Sequence, residues 1–355
     1  MTAKLMKGNT ALGEAAIQAG CRYFFGYPIT PQTELPEYLA KRLPETGGVF
    51  LQAESEIAAI NMVYGAAAAG GRVMTSSSSP GISLKQEGIS YIAAAELPCV
   101  IANVMRCGPG LGGIQPAQSD YFQATKGGGH GDYRLIVLAP DSVQEIYDLT
   151  LTAFQLAHDY RNPVMLLGDG LLGQMMEPVR TYQPTETMPT DSPAWATTGC
   201  EGRKKRIVNT LYLDPPKLEE HNCRLQEKYA TINDREQRAE AYRAEDASVI
   251  LVAFGMAARI AKEAVDMARS KGIKAGLIRP ITLWPFPQRI LQQHLDTAKA
   301  LLTVEMNTGQ MLEDVKLSVN GEVPVHFYGR SGGMLPSSQA ILEKIVQLWE
   351  VQPNG

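Results

Sequence analysis

Cysteine is scarce and scattered in this 355-residue sequence: Cys21, Cys99, Cys107, Cys200 and Cys223. No two of them form a CxxC pair. That argues against a zinc ribbon, a thioredoxin motif, or a cluster ligated by this chain alone. An odd, scattered set also argues against a disulfide framework and points to a reducing compartment, the cytoplasm. A basic surplus is missing as well. Net charge is −4, and the one basic run is Arg203-Lys204-Lys205-Arg206. Such a run reads as a solvated face, so nucleic acid is not an expected partner. Long apolar stretches are lacking too. Ile57–Gly70 carries Asn61 and is too short to span a bilayer. Met1–Leu12 has no apolar signal core.

What is present is an α/β pattern. Short apolar runs at Arg72–Thr75, Cys99–Met105, Leu135–Leu138 and Val164–Leu167 predict buried strands. Glu56–Ala69, Ser142–His158 and a segment starting near Gly13 predict helices. This alternation predicts a parallel sheet covered by helices on both faces. The Thr- and Pro-rich stretch Arg180–Pro193 ends this block, and Leu218–Asp246, dense in charge, predicts an exposed helical connector, with a partner-binding arm as the alternative. A second α/β block follows. Its strands are predicted at Ser248–Phe254, Ala275–Ile278, Leu301–Val304 and Val323–Phe327, and its helices at Ala257–Lys271, Pro287–Leu295 and Ser337–Trp349. Pro280, Pro285 and Pro287 predict a rigid turn. The expected division is 1–190, a connector over 191–246, and 247–355.

Five segments could carry chemistry. Gly26-Tyr27-Pro28-Ile29-Thr30-Pro31 follows a short aromatic strand and belongs where open α/β sheets place ligands. A rigid loop there can fix a hydroxyl; equally, Thr30 can serve as an ordinary helix cap. Gln52–Ala59 places Glu54 and Glu56 at a helix start, where acids complement the macrodipole. Glu56 is the odder of the two, because the helix it opens is small, apolar and predicted to be buried. A buried carboxylate needs a donor or a proton. Thr75–Gly81 is hydroxyl-rich and ends in glycine, suiting either a polar pocket or a surface turn. In Met105–Gly113, Arg106 ends an apolar strand and can face an anion or simply solvent. There is no P-loop GxxxxGK[ST], so nucleotide binding is weakly supported. Lys126–Asp132 sets His130 among four glycines, where it can carry a proton or merely shape a loop.

One more segment, Gly168-Asp169-Gly170, looks like the start of a thiamine enzyme's diphosphate–magnesium motif. The asparagine expected about 25 residues on is missing: Trp195, Ala196, Thr197 and Thr198 stand there, and the next is Asn209. Asp169 therefore reads as part of a loop after a strand.

Taken together, GYPITP, QAESEIAAINMVYGAAAAG, TSSSSPGISL, NVMRCGPGLGG, KGGGHGDY, VEMNTGQMLEDV and GRSGGMLP resemble, in this order, the α subunits of 2-oxoacid:ferredoxin oxidoreductases. SSSSPGISLKQEGISYIA and GGIQPAQSDYFQATKGGGHGDYR look most like the branched-chain type, which acts on 2-oxoisovalerate (3-methyl-2-oxobutanoate). The resemblance implies a pyrimidine-binding thiamine-fold domain followed by a transketolase-C-like α/β domain. It implies thiamine-dependent oxidative decarboxylation of a 2-oxoacid, with coenzyme A, to acyl-CoA, CO2 and reduced ferredoxin. 2-Oxoglutarate and pyruvate are the alternative substrates, and a non-catalytic α/β scaffold is the alternative role. A β subunit is implied to carry the diphosphate half of the site, its Mg2+ and a [4Fe-4S] cluster, with γ and ferredoxin-like δ subunits as further partners.

By the same resemblance Glu56 contacts the cofactor aminopyrimidine, Thr30 points at substrate and thiazolium, and Arg106 holds the substrate carboxylate. Tyr27, Pro28 and Ile29 shape the pocket floor. Ser77–Gly81, including Ser78 and Pro80, and His130 are expected in its wall. Glu305, Asn307, Gly309 and Gln310 are expected at an interface, near coenzyme A.

Overall fold

A computed structural model describes residues 3–182 and 193–350. The first block runs β1 (Lys4–Lys7), α1 (Gly8–Gln18), β2 (Tyr23–Gly26), α2 (Glu34–Glu45), β3 (Val49–Gln52), α3 (Glu56–Ala68), β4 (Val73–Ser77), α4 (Ser79–Ala94) and β5 (Cys99–Met105). It continues through α5 (Tyr121–Thr125), β6 (Ile136–Leu138), α6 (Val143–Tyr160), β7 (Pro163–Asp169), α7 (Gly170–Gln174) and β8 (Met176–Val179). Then come α8 (Pro215–Arg235), β9 (Ala239–Tyr242), β10 (Val249–Val252), α9 (Gly255–Ser270), β11 (Ala275–Pro280), β12 (Thr282–Trp284) and α10 (Gln288–Gln292). β13 (Ala300–Glu305), α11 (Met311–Val319), β14 (Val325–Gly329) and α12 (Ser338–Glu350) close the described chain.

Seven strands form the first sheet, in the order β12-β6-β7-β5-β4-β2-β3. All but β12 are parallel. Every residue of β5 is buried, as expected of a central parallel strand whose sequence is apolar but for Asn103. Because side chains alternate along a strand, Val100 and Ala102 pack on one face with Leu12 and Leu39 of α1 and α2. Ile101 and Met105 pack on the other with Ile60 and Ile89 of α3 and α4.

The second sheet has the order β14-β13-β10-β11-β9, with β9 antiparallel. Val249 and Leu251 of β10 join the first apolar cluster, and Ile250 and Val252 join the second, so the core is continuous across both blocks.

Three findings correct or sharpen the sequence reading. The segment between Pro280 and Pro285 is more than a turn: β12 crosses to the first block and pairs antiparallel with β6. The charged connector is helical as expected, but β9 at its end pairs with β11. The segment Thr75–Gly81 is no surface turn either, since Thr75 to Ser78 are buried.

Candidate active site

The chain reverses its direction of travel across the sheet at β2. β3 lies on one side of it and β4 on the other. This is the topological switch point, where crevices form outside the carboxyl ends of strands. The Tyr27–Pro31 loop leaves β2 here, Glu56 opens α3, Ser78 precedes α4, and Arg106 follows β5.

Glu56 is 6% exposed. Ser55 caps the helix, its Oγ accepting from the Ala58 amide at 3.1 Å, so Glu56 is spared that task. Its carboxylate has no hydrogen-bond or ion-pair partner among the described residues. Gly81 packs against it: a Cβ there would stand 2.6 Å from Glu56 Oε1 and closer still to Ser77 Oγ. Ser77 Oγ and Ser78 Oγ are buried without partners as well. Buried polar groups left without partners are costly, and a polar ligand relieves that cost.

Arg106 is 9% exposed. One arm donates to the Thr30 carbonyl at 3.1 Å and the other reaches the Leu111 carbonyl at 3.4 Å. Its Nε is buried and unpaired. A planar fork with a free N–H suits a carboxylate. Ser79 Oγ accepts from the Arg106 amide at 3.1 Å and donates to Asp120 at 2.7 Å, while Asn103 also donates to Asp120 at 2.9 Å. Burial raises the Asp120 carboxyl above its ordinary value.

The Tyr27–Pro31 loop is held from behind. Asn9 and Gln174 donate to the Pro31 carbonyl at 2.9 Å and 3.1 Å. Both also hold Glu34, together with Lys7. Burial pushes the Glu34 carboxyl up, but these hydrogen bonds outweigh it and bring it to about 2. Tyr27, Pro28 and Thr30 remain exposed and Ile29 is half-buried.

His130 is placed apart. It is exposed, its carbonyl accepts from Ser90 at 2.7 Å, and its ring meets Tyr91 edge-on. Ser90 lies eleven residues along α4 from Ser79, roughly 16 Å at the helical rise.

A cavity of about 740 Å³ lies at the seam of the two blocks, lined by Ser79, Pro80, Cys107, Asp120, Asn307 and Gln310 among others. The Glu305–Gln310 loop closes this seam within the chain. Gln118, fully buried, donates to the Phe254 carbonyl at 2.8 Å, accepts from the Met306 amide at 3.0 Å, and its carbonyl accepts from Asn307 at 2.8 Å. Glu305 caps α11 through the Met311 and Leu312 amides.

Asp169 is 2% exposed and N-caps α7, accepting from the Leu171 and Leu172 amides at 3.0 Å. Burial pushes its carboxyl up to about 6 against these contacts. Among the described residues no group of acids, cysteines and histidines could hold a metal ion. No helix of the described residues is long and apolar enough to cross a membrane.

Of the residues singled out in the sequence, the structure joins Arg106 to the Thr30 carbonyl and sets Glu56 against Gly81. Sequence reasoning did not single out Asp120 or Gln118, whose contacts form only once distant segments meet. Lys85 was missed as well, although a lysine sharing one helix face with Gly81 and Gly88 was a readable signal.

Two family descriptions cover the chain. "Pyruvate flavodoxin/ferredoxin oxidoreductase, thiamine diP-bdg" matches residues 14–246, and "Pyruvate:ferredoxin oxidoreductase core domain II" matches 247–341. They define the class: an oxidoreductase subunit with a thiamine-diphosphate-binding domain. The ketoisovalerate oxidoreductase subunit VorB of Methanothermobacter marburgensis is 53% identical, over 98% of each chain. The 2-oxoglutarate synthase subunit KorA of Methanothermobacter thermautotrophicus is 38% identical, covering 97% of this chain and 98% of its own. Among solved structures, 2-oxoglutarate:ferredoxin oxidoreductase from Magnetococcus marinus, with 2-oxoglutarate, coenzyme A and succinyl-CoA bound, superposes with a TM-score of 0.85 at 28% identity. That match covers 98% of this chain and 65% of the solved one. A split-gene transketolase, 14% identical with a TM-score of 0.61, shares the fold. The chain belongs to the 2-oxoacid:ferredoxin oxidoreductase family, as an α-type subunit.

Proposed function

We propose that this subunit supplies the pyrimidine-binding half of a thiamine site that oxidatively decarboxylates a branched-chain 2-oxoacid, such as 3-methyl-2-oxobutanoate. Coenzyme A takes the acyl group and ferredoxin the electrons. The observation that carries the reading is the buried, unpartnered carboxylate of Glu56. The orphaned hydroxyls of Ser77 and Ser78 and the close approach allowed by Gly81 fit the same ligand. When bound, thiamine diphosphate supplies the carbon nucleophile and electron sink for decarboxylation.

The chain's own residues bind and orient. Glu56 accepts from the aminopyrimidine and holds its proton balance. Arg106, through its free Nε, takes the substrate carboxylate, and Thr30 presents its hydroxyl beside it. Pro80 and Ile29 close the apolar sides of the pocket.

Tyr27, Leu51 and Ile57 are exposed apolar residues around Glu56. Their exposure supports a partner β subunit seated there, bringing the diphosphate half, Mg2+ and an iron–sulfur cluster. Further γ and δ subunits and a cytoplasmic location complete the proposal. His130, so far along α4, takes no part in it.

The branched-chain assignment is supported by the VorB-type relatives at 53% and 52% identity, against 38% for the KorA type. It is tested on the complex assembled with its partner chain, by measuring coenzyme-A-dependent ferredoxin or viologen reduction with a panel of 2-oxoacids. The branched acids should give the highest kcat/KM. A preference for 2-oxoglutarate or pyruvate would replace them.

A further inference from the structure

Lys85 is a lysine with no exposed surface and no carboxylate within ion-pairing distance among the described residues. Charged side chains are almost never so placed unless they are paired. Its Nζ donates to Thr75 Oγ1 at 2.5 Å and to the Ser76 carbonyl at 3.1 Å. Those two acceptors use both N–H bonds of a neutral amine, whereas an ammonium would keep a third donor unpaired. Burial pushes the group down to about 7, while attraction to Glu56 pulls the other way. The titratable groups facing it are Glu56 from α3 and Cys99 from β5, and burial pushes the Cys99 thiol up to about 12. From β4 it meets only the uncharged Thr75 and Ser76.

Lys85 stands four residues beyond Gly81, one turn along the same face of α4. Gly81 is the residue pressed against Glu56. On its other side, the amine's partners reach the substrate loop. Thr75 Oγ1 donates to the Phe25 carbonyl at 2.6 Å and Ser76 Oγ donates to Gln32 at 2.5 Å. Gln32 in turn donates to the Tyr27 carbonyl at 3.4 Å. For packing alone, methionine would fill this site without burying an amine.

We infer that Lys85 is a positioning residue of the cofactor site: its buried amine locks β4 to α4, holding Gly81 beside Glu56 and, through Ser76 and Gln32, the Tyr27–Thr30 loop. The inference rests on the thiamine reading of Glu56. Cofactor affinity then follows the protonation of Lys85, because an ammonium attracts the Glu56 carboxylate and an amine does not.

The test titrates the assembled complex with thiamine diphosphate and Mg2+, following intrinsic fluorescence on both sides of neutral pH. Lys85→Met should weaken thiamine binding by about tenfold or more. At saturating thiamine, the KM for 2-oxoacid should rise by a smaller factor than the thiamine Kd, because the Tyr27–Thr30 loop is held only indirectly, through Ser76 and Gln32. The parent's affinity should change through a midpoint at about 7. That change should be missing in Lys85→Met, and Glu56→Gln should move the midpoint to lower pH. Thr75→Val, which removes one acceptor and leaves no cavity, should give a smaller loss of the same kind and stands in if Lys85→Met fails to assemble. Parent-like affinity and pH dependence in these variants, beside a normal loss in Glu56→Gln, would overturn the inference alone. Unchanged thiamine affinity in Glu56→Gln would remove the reading of Glu56, and the inference with it.

Discussion

Glu56 and Asp169 are two buried carboxylates at the carboxyl edge of one sheet, each at the start of a helix. Asp169 commits its Oδ1 to two backbone amides of α7. Glu56 commits neither oxygen, because Ser55 already caps its helix. Similar residues in similar places therefore have opposite economies. One carboxylate holds the fold; the other makes no hydrogen bond within the described residues and, in the function proposed above, serves the cofactor. A local motif such as Gly168-Asp169-Gly170 does not separate the two; the partner count does.

The largest expected effect sharpens that contrast at Glu56. Glu56→Gln in the assembled enzyme should lower kcat by about a hundredfold or more, the scale of a lost acid–base group. Its melting temperature should hold or rise, since an unpaired buried charge is removed. Parent-level turnover in this variant would contradict the assignment.

Next comes Arg106→Lys. Loss of the planar fork should raise the KM for 2-oxoacid by about tenfold, with a smaller change in kcat, measured at saturating thiamine. An unchanged KM would free Arg106 from the substrate.

Asp169→Ala tests the other side of the comparison. It should destabilise the chain by about 1–3 kcal/mol in urea titrations, through amides left without an acceptor. Activity per folded molecule should be retained. A loss of turnover without a loss of stability would break the contrast.

A pH dependence tests the same carboxylate. The folded Asp169 carboxyl is raised from 3.8 to about 6. A raised acid binds its proton more tightly in the folded state. Its stabilising contribution is thus full below 3.8 and is lost as pH rises through about 6. Unfolding midpoints measured across that window should fall with rising pH in the parent and flatten in Asp169→Asn.

Much of this was readable in advance. β5 is legible to the residue, because Cys99–Met105 is a short run that is apolar but for Asn103, the pattern of a strand buried on both faces. Glu56 stood out because a charge opened an apolar helix. Arg106 stood out because a charge closed an apolar strand. What could not be read depends on segments that meet only after folding. β12 has three residues, too few for a periodicity, and its partner β6 lies over a hundred residues back. Gln118 is one polar residue in a loop until Met306 and Asn307 arrive to use its amide. Lys85 carries the letter of a surface residue, and only its place beneath Gly81 turns it inward.

The crossing of β12 into the first sheet has a mechanical meaning. The two α/β blocks are stitched by a strand from one lying in the other, so neither can swing as a rigid lid. A protease cut in the exposed extended segment around Ile207 to Leu213 should sever the backbone and leave two fragments that travel together until denatured.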